Sequence, residues 1–297
     1  MQSLREIVAQ KREEWREQKT RLGDWFEELT RYFLRYDPKW STRLQDVQFW
    51  SDSELCDGHD RGIDLVAKDR EDDTYWAIQC KCCDPEQSLS LRKLSTTLAV
   101  SRERDGQNRE FKYGHLLIVH TSEAPISNNL AKSLEGWSVQ WLGLEELESS
   151  ALDWSLWSEG RGSGQLQAPK AILPHQREAL QAVRLGFETS ERGKLIMACG
   201  TGKTFTSLQI AQDLVGEGLV LFVAPSIALV AQTLRAWAND CSLPFHPLVV
   251  CSDPKAGTRS KGEADWDLKV AETFPATTDL GQIAAFWRRH GAERGLK

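Results

Sequence analysis

Lys194-Leu-Ile-Met-Ala-Cys-Gly-Thr-Gly-Lys-Thr204 sets out how the second half of the chain must be organised. The short apolar run Leu195 to Met197 reads as a buried strand. It empties into a glycine turn, and Phe205 to Val215 has the character of a helix. Strand, phosphate loop and helix therefore follow one another. Gly200 and Gly202, on either side of Thr201, let the backbone curl so that successive N–H groups converge on a phosphate. The following helix adds its positive end. In such a loop Lys203 reaches the β- and γ-phosphates of ATP, and the Thr204 hydroxyl is placed to ligate Mg²⁺. The strict pattern Gly-x-x-x-x-Gly-Lys-Ser/Thr asks for glycine at position 197, where this chain has methionine. The bland reading is a glycine turn that binds nothing.

The methionine form, Met197-Ala-Cys-Gly-Thr-Gly-Lys-Thr204, resembles the phosphate loop of superfamily-two helicases, especially the DNA translocase motors of Type I and Type ISP restriction enzymes. Leu173-Pro-His-Gln-Arg-Glu-Ala179 looks like that family's adenine-reading segment, and the resemblance would put Gln176 on the base. Leu221-Phe-Val-Ala-Pro-Ser-Ile-Ala-Leu-Val-Ala-Gln232 looks like its motif Ia, a strand and helix that contact the DNA backbone. Each match is short, but their order and spacing agree.

The first half carries different chemistry. Gly62-Ile-Asp-Leu-Val-Ala67 and Thr74-Tyr-Trp-Ala-Ile-Gln-Cys-Lys-Cys82 read as two strands joined by a turn at Lys68 to Asp73. Side chains alternate along a strand, so Gln79 and Lys81 share a face while Ile78 and Cys80 point to the other. Asp64 stands between Ile63 and Leu65. If the strands pair as a hairpin, Asp64, Gln79 and Lys81 can converge. A carboxylate, an amide oxygen and an ammonium suit metal-assisted phosphodiester hydrolysis, in which Mg²⁺ activates a bound water and the lysine stabilises charge or positions that water. The competing reading makes Asp64 and Lys81 an ordinary ion pair at a sheet edge.

This spacing resembles the PD-(D/E)xK nuclease core, and most closely its Mrr-type branch. There an Asp, a Gln-x-Lys and a glutamate from the first helix form the site. The resemblance carries Asp64, Gln79 and Lys81 over directly. It carries Glu28 as the helix acid and further metal ligand, with Glu27 competing for that role. Gln79 stands where many nucleases of this fold have glutamate, and a neutral amide is the poorer Mg²⁺ ligand.

Around these motifs, Ser3 to Tyr36 is helical in character, with Leu22, Trp25, Phe26, Leu29, Phe33 and Leu34 recurring every three or four residues as a core face. Arg43 to Trp50, His115 to His120, Trp137 to Trp141 and Phe245 to Cys251 read as strands. Gln87 to Arg104, Ile126 to Leu134, Leu144 to Leu156 and Ala276 to Arg289 read as helices, the last capped by a threonine or aspartate. Arg92, Lys93, Arg102 and Arg104 offer a DNA-backbone contact or simply a solvated helix face. His115 and His120 read as structural. Most of the tryptophans read as core or interface packing.

The 297 residues suffice for two cores. A net charge of −6 argues against a charge-driven, histone-like nucleic-acid binder without excluding DNA. No signal-peptide core and no membrane-length apolar run occurs, so a cytoplasmic protein is expected. The seven cysteines are expected to be reduced. Cys80 and Cys83 form a C-x-x-C pair without the second pair that zinc would require, so they read as buried strand cysteines.

The expected architecture is α/β: a restriction-endonuclease-like α/β/α nuclease domain over residues 1–157, a Gly/Ser-rich linker over 158–169, and an incomplete RecA-like P-loop lobe over 170–297. No Asp-Glu pair follows Thr204, so nucleotide binding without appreciable turnover is expected. The expected ligands are Mg²⁺, ATP and double-stranded DNA. The resemblance also implies further helicase, methyltransferase and target-recognition parts in a longer polypeptide. The rival readings are an inactive DNA-binding module and a P-loop ATPase with a docking domain.

Overall fold

The computed structural model describes residues 3–56, 58–59, 61–90, 94, 113–124, 139–157, 164–216, 218–243, 246–250 and 277–291. The chain divides into two compact units, Met1–Gln167 and Ala168–Lys297.

The first unit opens with α1 (Leu4–Glu14) and α2 (Lys19–Tyr36). Sequence periodicity predicts one helix over this span, but the chain breaks after Glu14. Trp15 turns inward and meets Trp25 edge-on with ring centroids 6.2 Å apart, while Lys11 and Arg21 lie over its ring. Burying that indole outweighs the continuation of one polar helix. Asp37 then accepts from the backbone N–H groups of Lys39 and Trp40 and starts the short α3 (Pro38–Arg43).

A mixed five-stranded sheet follows, in the order β1 (Leu44–Phe49), β2 (Leu65–Asp69), β3 (Tyr75–Lys81), β4 (His115–His120) and β5 (Val139–Leu142). The first three strands pair antiparallel and the last three parallel. Alternation gives β3 two working faces. Trp76, Ile78 and Cys80 join Leu65, Ala67, Leu117 and Val119 in the cluster covered by Phe26, Leu29 and Phe33 of α2. Ala77 joins Val66, Leu116 and Ile118 in a second cluster, with Leu89, Leu94 and Tyr113. Residues 91–93, 95–112 and 125–138 lie outside the described residues, as do most of the two helices predicted there, including Arg92, Lys93, Arg102 and Arg104. The predicted helix Leu144–Leu156 is shorter: α4 (Leu144–Glu148) is followed by a 3-10 turn at Trp154–Leu156. Gln165 and Gln167 exchange backbone bonds with Asp153 and Ala151, so the second part of the predicted linker is fastened to the first unit.

The second unit contains α5 (Pro174–Thr189), α6 (Lys203–Leu214), α7 (Ile227–Asp240) and α8 (Leu280–Phe286), the last capped by Asp279 and running into a π-helical turn. Among the described residues the strands expected before and after α6 do not form. Leu195 to Met197 and Leu221 to Val223 carry no ladder, and Ile196, Leu221 and Val223 are 90%, 87% and 80% exposed. An apolar run becomes a buried parallel strand only when neighbouring strands and covering layers are present. Among the described residues the second unit offers just one bridge, Val250 with Thr277, where the strand Phe245–Cys251 is predicted. Its buried core is correspondingly small, centred on Leu208, Leu234, Trp237 and Ala238. Among the described residues no helix is long and apolar enough to cross a membrane.

Candidate nuclease site and phosphate loop

Asp64 sits where β2 enters the sheet, just after Gly62, whose φ of 65° is one that L side chains rarely adopt. In a regular antiparallel strand both backbone groups of one residue face the same neighbour. Asp64 divides them. Its N–H donates to Ile78 O on the β3 side at 2.9 Å, and its C=O accepts the Trp50 N–H from the β1 side, also at 2.9 Å. Its carboxylate Oδ2 takes the Cys80 N–H at 2.6 Å. The acid is therefore held against β3 at the amide lying between Gln79 and Lys81.

Gln79 and Lys81 stand on the face of β3 opposite Cys80, as the alternation predicts. Gln79 is 3% exposed, and its Oε1 is buried without a hydrogen-bond partner. A buried amide oxygen left unpaired is costly, and a bound cation or water is one way to satisfy it.

The helix acids separate cleanly. Glu28 Oε1 lies 2.7 Å from Arg31 on its own helix, and that guanidinium sits over Phe49, 4.5 Å from the ring centroid. Glu27 is the one that shares the neighbourhood of Asp64 and Lys81. Burial, followed by the charges of Asp64 and Asp24, raises its pKa from 4.5 to about 7, with Lys81 pulling the other way. Burial likewise pushes the Cys80 thiol well up, with Asp64 and Glu27 adding to the effect. The structure thus brings Glu27 into the field of Asp64 and Lys81, seats the Asp64 carboxylate on the amide that follows Gln79, and ties Glu28 to Arg31 instead. Sequence periodicity could not separate adjacent glutamates beside one apolar stripe; the neighbours of each decide.

Asp64, Glu27 and the Gln79 amide supply oxygen donors, the set a hard divalent cation requires. Glu27 and Asp64, two carboxyl groups close enough to raise the Glu27 pKa, offer the oxygen donors that suit a cation, and the buried, unpaired Gln79 oxygen stands one residue from the amide that holds Asp64. A second acidic group, Asp69, Asp72 and His115, lies at the other end of the same strands, with ligand atoms within 4.8 Å of one another. Its chemistry is already satisfied. Asp69 Oδ2 accepts from Arg43 Nε at 2.8 Å and Trp76 Nε1 at 2.7 Å, and its Oδ1 accepts from the backbone of Glu71 and Asp72. His115 bonds Asp72 at 2.7 Å and stacks on Trp76. Sequence reading makes His115 structural and gives it no partner; Asp72 is that partner. The C-x-x-C cysteines pack into different clusters, Cys80 into one and Cys83 into the other, so they share no site.

In the second unit Gly200 and Gly202 adopt φ of 77° and 78°, and Gly202 is the residue from which α6 starts. Lys203 Nζ folds back to the carbonyls of Met197 and Ala198, 3.3 Å from each. The Thr201 hydroxyl closes onto Ala198 O, and Thr204 occupies the first turn of α6. Gln176 is nearly buried and bonds within the chain: its Nε2 donates to Thr201 O at 3.1 Å and its Oε1 accepts the Leu173 N–H at 3.0 Å. His175 meets the same Thr201 carbonyl at 3.0 Å. The segment expected to read adenine therefore braces the loop.

Residues 35–163 match the Mrr-type family described as a restriction endonuclease, and residues 170–273 match the family of the type III restriction enzyme res subunit. No curated protein sequence matches the chain. Among solved structures, the ATP-dependent Type ISP restriction-modification enzyme LlaBIII bound to DNA is similar over 97% of this chain, with 27% identity and a TM-score of 0.71. This chain spans 17% of that one. The MspJI restriction endonuclease in complex with a 27-mer oligonucleotide overlaps 48% of this chain and 29% of its own, at 15% identity and a TM-score of 0.30, too slight a likeness to argue from. Two matched domains and one likeness running through both identify an Mrr-type restriction endonuclease domain followed by a ResIII helicase-like region, an arrangement similar to that of a Type ISP enzyme.

Proposed function

We propose that the first domain, residues 1–157, hydrolyses phosphodiester bonds of double-stranded DNA with Mg²⁺. Asp64, Glu27 and the Gln79 carbonyl oxygen hold the cation, with Glu27 taking the role that the sequence resemblance gave to Glu28. Bound there, the cation polarises the phosphate and lowers the pKa of a coordinated water. Asp64 contributes a carboxylate held by the Cys80 N–H, on a backbone that is itself bonded to Trp50 and Ile78. Glu27 gives up a proton near neutral pH when positive charge arrives. Lys81 presents its ammonium beside these acids to orient the attacking water and offset charge on the phosphate. The observation that carries this reading is the Asp64 carboxylate seated on the Cys80 N–H, between Gln79 and Lys81.

The region 170–297 is proposed to bind ATP through Gly200, Thr201, Gly202, Lys203 and Thr204, with Thr204 on Mg²⁺ and Gln176 at the rim of the loop. In the longer polypeptide this region would belong to an ATP-driven translocase whose movement is coupled to cleavage. The test of the nuclease reading is Lys81→Ala in the full chain, with supercoiled plasmid and Mg²⁺. Nicking should fall by two orders of magnitude or more with the melting temperature unchanged; cleavage at the unsubstituted rate refutes the assignment.

A further inference from the structure

Among the described residues Trp237 is the largest side chain buried in the core of the second unit, with 7% of its surface exposed. It stands on α7, the helix that continues the segment resembling motif Ia. The indole does more than fill space. Trp25 and Trp40 of the first unit bury Nε1 without a hydrogen-bond partner, whereas Trp237 Nε1 donates across to α6, to the carbonyl oxygen of Thr204 at 3.1 Å. Phe222, just ahead of α7, meets the same indole edge-on with centroids 5.4 Å apart.

Thr204 is the residue proposed to place its hydroxyl on Mg²⁺, and its surroundings fit that task. The neighbouring hydroxyls are committed to carbonyls of the loop and helix: Thr201 to Ala198 O, Thr206 to Gly202 O and Ser207 to Thr204 O. Among the described residues the Thr204 hydroxyl takes no such bond. It is left as a hard oxygen donor of the class that Mg²⁺ binds. The Thr204 peptide, by contrast, is held, because its oxygen receives the Ser207 hydroxyl at 2.8 Å as well as the indole. Further along, Gln212 Oε1 accepts from the Ser242 N–H and hydroxyl at 2.7 Å each, so α6 is fastened to the residues of α7 and its end at two points.

We infer that Trp237 is a positioning residue for Thr204: its indole N–H fixes the Thr204 peptide in the first turn of α6 and so keeps the hydroxyl available to the Mg²⁺ of bound ATP. This rests on the nucleotide reading of Gly200 to Thr204. Helix ends fray, and a bond from a second helix opposes that motion at the turn that carries the ligand. Groups that never touch an ion but orient its ligands contribute to metal affinity in this way.

Trp237→Phe keeps an aromatic ring in the core and removes the donor. Calorimetric titration of the full chain with ATP, in Mg²⁺ and in EDTA, separates positioning from packing. Trp237→Phe should bind MgATP about tenfold more weakly than the unsubstituted chain and should bind ATP in EDTA equally well. Thr204→Ala should lose the same Mg²⁺-dependent part, and adding Trp237→Phe to it should cost nothing more. In ¹⁵N spectra of the indole N–H groups, the Trp237 resonance, assigned by its absence from Trp237→Phe, should move with MgATP and stay nearly still with ATP in EDTA. Unchanged MgATP affinity in Trp237→Phe, an equal loss with and without Mg²⁺, or additive losses in the double variant would overturn the inference. A loss in Thr204→Ala without one in Trp237→Phe keeps the nucleotide reading and rejects only the role of Trp237. If Thr204→Ala binds MgATP like the unsubstituted chain, or the chain binds no ATP, the nucleotide reading falls and this role falls with it.

Discussion

Replacing Glu27 by glutamine tests the site without relying on catalysis. The Glu27 carboxyl has its pKa raised in the folded protein from 4.5 to about 7, by burial first and then by Asp64 and Asp24. The sign follows from proton linkage. Below pH 4.5 the group is protonated folded or unfolded and contributes nothing. Between 4.5 and 7 the folded state binds the extra proton, so stability falls as pH rises; above 7 the full penalty is present. At about 1.4 kcal/mol for each tenfold change in proton affinity, the ceiling is roughly 3 kcal/mol. Partial contact with solvent reduces it to about 1–2 kcal/mol. Glu27→Gln removes the penalty, so in EDTA at pH 8 it should melt about 3–6 °C above the unsubstituted chain and match it at pH 4.5. Millimolar Mg²⁺ should raise the melting point of the unsubstituted chain at pH 8 and leave that of the variant nearly unmoved. Differential scanning calorimetry at the two pH values, with and without Mg²⁺, reads both effects. Equal melting points at pH 8 in EDTA would refute the placement of Glu27 beside Asp64.

Glu28→Gln offers the contrast: it breaks a half-buried pair with Arg31, so it should cost under about 1 kcal/mol in a urea melt and should spare nicking. Asp69→Asn strands the Arg43 guanidinium beside a neutral amide in the core and should lower stability by about 3–5 kcal/mol, measured by urea titration. Burial raises the Asp72 carboxyl, but hydrogen bonds from His115 and Thr74 outweigh it and hold the group well below the ordinary carboxylate range. Its contribution is complete above about pH 4 and lost on further acidification, so Asp72→Asn should flatten the acid limb of the stability curve. Gly202→Ala should weaken ATP binding about tenfold by calorimetry, because φ is 78° and the added Cβ would lie 2.5 Å from Gln176 Nε2.

The nuclease half was legible because its signals are local. The alternation in Thr74–Cys82 put Gln79 and Lys81 on one face, and turn chemistry placed Asp64 across from them. The parts that escaped depend on contacts distant in sequence. Arg31 lies within a turn of both Glu27 and Glu28, and only its seat over Phe49 and the approach of Asp64 decide that it pairs with Glu28 and leaves Glu27 to Asp64. The Arg43–Asp69–Trp76 network joins three elements, and no spacing rule connects them. In the second unit, Leu195–Met197 and Leu221–Val223 have the composition of buried strands, yet composition supplies no partner strand and both runs stay exposed. The glycines of the loop needed no partner, and the loop closes as its sequence dictates.

Asp64 is a stitch as well as a proposed ligand. Its peptide links the turn that follows β1 to β3, and its side chain takes the next free amide of β3, so the pairing of these segments also seats the acid. In the proposed site, the same bonds thus serve the fold and hold the acid. Deleting the side chain would confuse misfolding with inactivity, whereas Asp64→Asn, which still offers an oxygen to Cys80, leaves the weave intact and silences only the charge.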